Sequence, residues 1–231
     1  MNNDDSEESI YYLGISIKTT QLSVVKNGLI NIFKNRRMVS KVPHSTKIFR
    51  KARPRKDLMD DLTSFIIDNN LQCFCHRYAK NDLFEKTKLL EKFNSEIVDF
   101  KKAEFQALFF FMTSLNIYIK DVHPDLLKKD IRMYFDRNVY GLKETESFVF
   151  PSKKFIISDM TFCEKSKIDL LFLPDFLGFI LRKSIEYKTH RKEDNEILKN
   201  AHENYLKLYS ANILHFINIR KQIIEQTIGI M

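Results

Sequence analysis

A mixed α/β fold, a sheet covered by helices, is the class this sequence predicts. Short runs rich in β-branched and aromatic residues, at 10–17, 71–78, 131–135 and 153–162, alternate with longer stretches at helical spacing. Only five glycines and five prolines interrupt 231 residues, so the elements are long and loops few. At 44% hydrophobic and 13% aromatic, the chain has apolar side chains enough for a sizeable core.

The first run, Ile10-Tyr11-Tyr12-Leu13-Gly14-Ile15-Ser16-Ile17, is nearly continuous in apolar residues and reads as a largely buried strand. Residues 20–35 carry two signals. Asn27-Gly28 between two apolar runs is a hairpin turn pattern. Yet Leu22, Val25, Leu29, Ile32 and Phe33 fall at helical spacing, with Thr20 in a capping position. Periodicity leaves both open. Residues 39–55 form a basic loop with two prolines. A helix is predicted over 57–69, with Leu58, Leu62, Phe65 and Ile66 on its apolar face, and a strand over 71–78.

A long helical region spans 82–121, with a break near 94–99. Its second part turns Phe105, Leu108, Phe109, Met112, Leu115 and Ile119 toward the core. Its aromatics therefore read as packing residues, not as a base-stacking platform. Pro124 closes the region, a strand at 131–135 ends in Asp136, and another follows at 153–162. An apolar helix surrounds Asp175. Leu198, Ala201, Tyr205, Leu208, Phe216, Ile219 and Ile223 keep helical spacing, which predicts one long helix or a helix pair at the C-terminus.

Charge is unevenly spread. The net charge is +8, and residues 9–56 contain no Asp or Glu. Within them Lys18, Lys26, Lys34, Arg36, Arg37, Lys41, Lys47, Arg50, Lys51, Arg53, Arg55 and Lys56 are basic. One-signed density of this kind points to a polyanionic partner, with nucleic acid first; the alternative is a solvated basic surface. The longest apolar run, 107–119, is broken by Thr113, Ser114 and Asn116 and is too short to span a bilayer, so no membrane partner is expected. The acidic, polar first residues show no secretory signal, and three cysteines fit a reducing cytoplasmic setting.

Chemistry-bearing patterns are sparse. Phosphate-cradling glycine loops, the H-E-x-x-H metal pattern and the G-x-S-x-G nucleophile turn are missing from the sequence. Cys73-Phe74-Cys75-His76 lacks a second ligand pair and reads as a strand with two small buried side chains. Two carboxylates stand out. Asp136 lies where a strand stops, and Asp175 is the only acid between Asp169 and Glu186 in the most apolar helical stretch. A buried ionised carboxylate needs a partner, a set of hydrogen bonds or a metal. The two acids could share one anionic pocket. Alternatively, Asp136 is a solvated strand-end acid and Asp175 a first-turn acid behind Pro174, favoured there by the helix dipole.

A strand-end Asp, a further strand, then E-K-S-K and L-L-F-L-P-D-F-L-G-F-I resemble a large uncharacterised bacterial family with a ribonuclease H-like fold. Asp4-Asp5-Ser6 is similar to that family's opening Asp-Glu-Ser. Val42-Pro43-His44-Ser45-Thr46 is similar to its Glu-x-His/Lys-x-Ser segment, and Ser166-Lys167 with Leu171 to Asp175 to its closing "L-Q-x-A-D" helix. The similarity covers about residues 4–185. It implies a metal-dependent nuclease whose acids, Asp4, Asp136 and Asp175, hold Mg²⁺ or Mn²⁺ for in-line attack on a phosphodiester. The resemblance also favours helix over hairpin at 20–35. The chain departs from the pattern at Val42, where the family has Glu, and at Phe172, where it has Gln. Only three residues precede Asp4, too few for the strand that should present it.

The expected organisation is a ribonuclease H-like domain over 1–185 and a C-terminal helical extension over 186–231, the extension packing on the domain or on a second copy in a homodimer. Two functions are expected. One is a nuclease that binds nucleic acid through Arg36, Arg37, His44, Lys47, Arg50, Lys51, Arg53, Arg55 and Lys56. The other is a catalytically degenerate relative that binds nucleic acid or a protein partner without cutting. An oligomerising scaffold is a third.

Overall fold

The computed structural model describes residues 9–38, 44–49, 55–79, 99–124, 126, 131–149, 157–190 and 195–217. Asp4, Lys41, Val42, Arg50, Lys51, Arg53, the helical stretch expected at 82–98 and the chain after 217 lie outside them. The described residues form a mixed α/β protein with two three-stranded sheets and helices beside them, where the sequence predicts one sheet. The first sheet contains β1 (Ser9–Ser16), β2 (Gln72–Ala79) and β6 (Leu214–Phe216), in the order β1-β2-β6.

The chain divides into two compact units, each assembled from separated segments. One comprises Met1–Tyr12, Cys75–Glu164 and Phe216–Met231; the other comprises Leu13–Phe74 and Lys165–His215.

In the first unit the second sheet is β3 (Ile131–Asp136), β4 (Glu146–Val149) and β5 (Ile157–Cys163). β5 is central, parallel to β3 and antiparallel to β4. The sequence reading missed β4, which has only four residues, too few to establish a period of two. The long helix Ala103–Val122 (α4 below, after three earlier helices in the other unit) buries the six residues predicted to face the core. It also buries Ala107, Phe110, Phe111, Thr113 and Ser114, so it is enclosed on most sides and not amphipathic. Phe105, Phe135, Tyr140 and Phe162 form one aromatic cluster. At its margin the Tyr12 hydroxyl lies 2.5 Å from that of Tyr140 and 2.8 Å from the Glu104 carbonyl oxygen. Two buried phenols thereby satisfy each other.

The other unit is helical: α1 (Leu22–Asn35), α2 (Ser45–Ile48), α3 (Lys56–Asp68), α5 (Phe172–His190) and α6 (Glu196–Ser210). The 20–35 ambiguity resolves to helix. Val25, Leu29 and Phe33 are buried along one stripe, and Phe33 meets Phe172 of α5 edge-on at 5.0 Å. Gly28 is there for close approach, not for a turn: a Cβ on it would sit 2.5 Å from Cε2 of Phe65 on α3. Thr20 does not cap α1; it lies in a 3-10 turn, Thr19–Gln21, that leads into the helix. α3 also runs against α6, and α6 against α5, and Leu62 and Ile66 of α3 and Leu198, Ala201 and Leu208 of α6 are buried.

Two further expectations are corrected here. The basic loop at 39–55 contains a helical turn, α2, fixed by Phe49 stacking at 5.1 Å on Phe179. The helical spacing expected through Ile223 ends at Ser210, and Leu214–Phe216 is a strand. Asn212, at φ 55°, makes the reversal that stops the helix, a conformation Asn tolerates better than most residues.

Candidate functional site

The site with the densest polar contacts is built on α5. The chain leaves β5 at Cys163, turns through residues 165–167, makes the 3-10 turn Asp169–Leu171 and enters α5. Asp175 lies in the first turn of that helix, where the dipole favours a carboxylate. Its Oδ2 accepts three hydrogen bonds: from the Ser45 backbone N–H at 2.7 Å, the Ser45 hydroxyl at 2.8 Å and Lys165 Nζ at 2.7 Å. Ser45 is the first residue of α2, so its N–H has no partner within that helix. Asp175 therefore caps a helix 130 residues away in sequence. Lys165 is a buried lysine, its side chain 8% exposed, with Nζ 5.3 Å from the Phe172 ring centre. Such a lysine needs a counter-charge, and Asp175 supplies it. Burial pushes the Asp175 carboxyl up, but the Lys165 ammonium and the two Ser45 donors outweigh it and hold it below the ordinary carboxylate value.

Asp136 belongs to the other compact unit. It ends β3 and caps the 3-10 turn Arg137–Tyr140, its Oδ1 accepting from the Asn138 N–H at 3.1 Å and Nδ2 at 2.9 Å. Gly141, at φ 68°, closes that turn, and Arg137 pairs with Glu164. Asp136 thus takes its donors from Asn138, two residues on, and Asp175 takes its own from Ser45 and Lys165. Asp4 lies outside the described residues.

Comparison with family models, curated proteins and solved structures finds no match. Among the described residues no group of three or more His, Cys, Asp or Glu side chains is placed to hold a metal ion. The donor set at Asp175 does not fit a divalent cation: it is one carboxylate already paired with an ammonium and accepting two further hydrogen bonds. Mg²⁺ or Mn²⁺ would have to approach against the Lys165 charge.

The structure does bring together two segments quoted for the family resemblance, since Ser45 and Asp175 are hydrogen-bonded. Lys165, the third member of the cluster, matches no sequence pattern that assigns it a role. A lysine in a turn between two apolar elements is the one signal that could have marked it as buried.

The basic residues divide into two kinds. Arg36 donates to Asp61 at 2.7 Å and Asp57 at 3.3 Å, so it joins α1 to α3. Arg37, His44, Lys47 and Lys56 are exposed, as are Lys18, Lys26 and Lys34, while Arg55 is half-buried at the start of α3. Arg50, Lys51 and Arg53 lie outside the described residues.

Cys73 and Cys75 are fully buried in β2, and burial pushes both thiols up to about 12. They are inert packing residues, as the sequence reading of this strand expects. His76 follows them, 3% exposed, with Nδ1 3.3 Å from the Ile217 carbonyl oxygen. Burial lowers its imidazole to about 4, against a weaker opposing effect of that bond.

Proposed function

We propose that this chain, a protein of ribonuclease H-like type, binds nucleic acid through the phosphate backbone and does not cut it. The observation that carries the reading is the acid-free span 9–56, from which Lys18, Lys26, Lys34, Arg37, Lys47 and Lys56 stand exposed. Cations without interleaved acids sum to a field that attracts a polyanion and releases its counterions on contact. The internal pairing of Asp175 with Lys165 supports the non-cleaving form, because it uses the carboxylate for structure.

The test is binding of labelled DNA and RNA, single- and double-stranded, across a salt series. Affinity should fall steeply with salt, and Arg50→Glu, Arg53→Glu and Arg55→Glu together should weaken binding to all sequences alike. A triple variant with unchanged affinity and salt slope would reduce the stretch to a solvated face.

Metal-dependent cleavage is the second reading. What favours it is the meeting of the two resemblance segments at Ser45 and Asp175. It requires Mg²⁺- or Mn²⁺-dependent breakdown of a nucleic acid that Asp136→Asn abolishes in a folded protein. Intact substrate after prolonged incubation with either ion removes this reading and leaves the binding one.

A further inference from the structure

The outward face of α1 supports a more specific inference, which rests on the nucleic-acid reading above. With Val25, Leu29 and Phe33 turned inward, the helix exposes Ser23, Asn27, Asn31 and Lys34 along its opposite side, with Lys26 beside them. Val24 on the same side is 63% exposed. The helix contains no acid. Arg36 uses Asp57 and Asp61, whereas Lys26, Lys34 and Arg37 pair with no acid among the described residues.

This face is locally unfavourable for a helix. Asn is a poor helix former, and Asn27, Asn31 and Asn35 together cost on the order of 2 kcal/mol relative to Ala. None of the three contributes to the core. Departures from local preference that bring no packing gain are expected at functional surfaces.

We infer that α1 docks in the major groove of duplex DNA, with Asn27 and Asn31 toward the base edges and Lys26, Lys34 and Arg37 on the phosphates. A B-form major groove, about 12 Å wide, admits an α-helix, and Asn pairs there with the N6 and N7 edge of adenine. Val24 meets a thymine methyl group in the same geometry. At 14 residues, about 21 Å, α1 is long enough to cross one groove. The major groove of duplex RNA is too deep and narrow for such a helix, so DNA is the occupant.

The experiment uses the full chain with fluorescein-labelled duplex DNA of random sequence, the same lengths as duplex RNA, and a DNA site selected from the random pool. Two variants are compared with wild type, each checked by thermal melt: Lys26→Gln with Lys34→Gln, and Asn27→Ala with Asn31→Ala. Because the substituted side chains are exposed and Ala favours helix, both should fold. The lysine variant should reduce the log–log salt slope on duplex DNA by about 1.8, two phosphate contacts' worth. The asparagine variant should keep the slope but lose about ten-fold or more on the selected site, with little change on random DNA. Unchanged behaviour of both variants, while Arg50→Glu, Arg53→Glu and Arg55→Glu still weaken binding, overturns the inference and leaves the nucleic-acid reading standing. Equal binding of duplex RNA and duplex DNA by wild type overturns groove docking in the same way. Absence of binding to any nucleic acid at low salt overturns both.

Discussion

Asp175 illustrates how little a residue's type reveals of its use. Its placement in an apolar helix is legible in sequence, but its partners, Ser45 and Lys165, come from two other segments that no spacing rule connects to it. Asp175→Asn should leave the buried Lys165 ammonium without a counter-charge and lower stability by about 2 kcal/mol, discounted because the carboxylate is partly exposed. Lys165→Met in the same chain should recover most of that loss, a coupling that urea unfolding of the single and double variants measures. The folded carboxyl lies below its unfolded value, so the contribution is complete above the ordinary 3.8 and lost as pH falls through the lower folded value. His76 acts in a higher window. Its folded value, about 4, is depressed from 6.5, so the unfolded chain takes up the proton first. Stability should be complete above pH 6.5 and decline toward pH 4 by on the order of 3 kcal/mol, a slope missing in His76→Phe.

At the scale of elements, the sequence was most readable where apolar residues repeat over several turns. The helices Lys56–Asp68 and Ala103–Val122 and the strands Gln72–Ala79 and Ile131–Asp136 follow from periodicity, to within a residue or two at most ends. It was least readable where a local signal had a tertiary cause. Asn27-Gly28 looks like a turn because glycine is flexible, yet Gly28 is small in order to admit the Phe65 ring. Gly28→Ala should therefore destabilise by about 1 kcal/mol, the ring displacement exceeding the gain in helix propensity. In a Phe65→Leu background the same change should become stabilising, and denaturant midpoints report both signs. Leu214–Phe216 escapes the sequence pattern for a related reason. Three residues cannot establish a period, and the strand exists because β2 offers it a partner, the Ile217 N–H reaching the Cys75 carbonyl oxygen at 2.9 Å.

The whole molecule depends on segments distant in sequence. α5 runs from Phe172 to His190, and α6 supplies Leu198, Ala201 and Leu208 to the unit that also contains α3. Truncation after residue 185 should consequently remove core side chains and abolish the cooperative melt, which circular dichroism would register. The charge pattern also belongs to this scale. The field of the cations in 9–56 is a sum over residues, so it is legible from composition alone. The asymmetry between cations tied to acids and cations left exposed was not legible, because it depends on which helix faces Asp57 and Asp61.

The Ser45–Asp175 bond also has a kinetic consequence. A four-residue helix cannot nucleate alone, and its first N–H is satisfied only when a side chain 130 residues downstream arrives. Closing so long a loop is slow relative to local helix formation. The turn around Ser45 should thus acquire its shape after the transition state, with φ-values near zero for Ser45→Ala, while Leu62→Ala on α3 gives a larger fraction. Ser45→Ala would then accelerate unfolding and leave refolding nearly unchanged, making this bond a determinant of how long the native protein lasts.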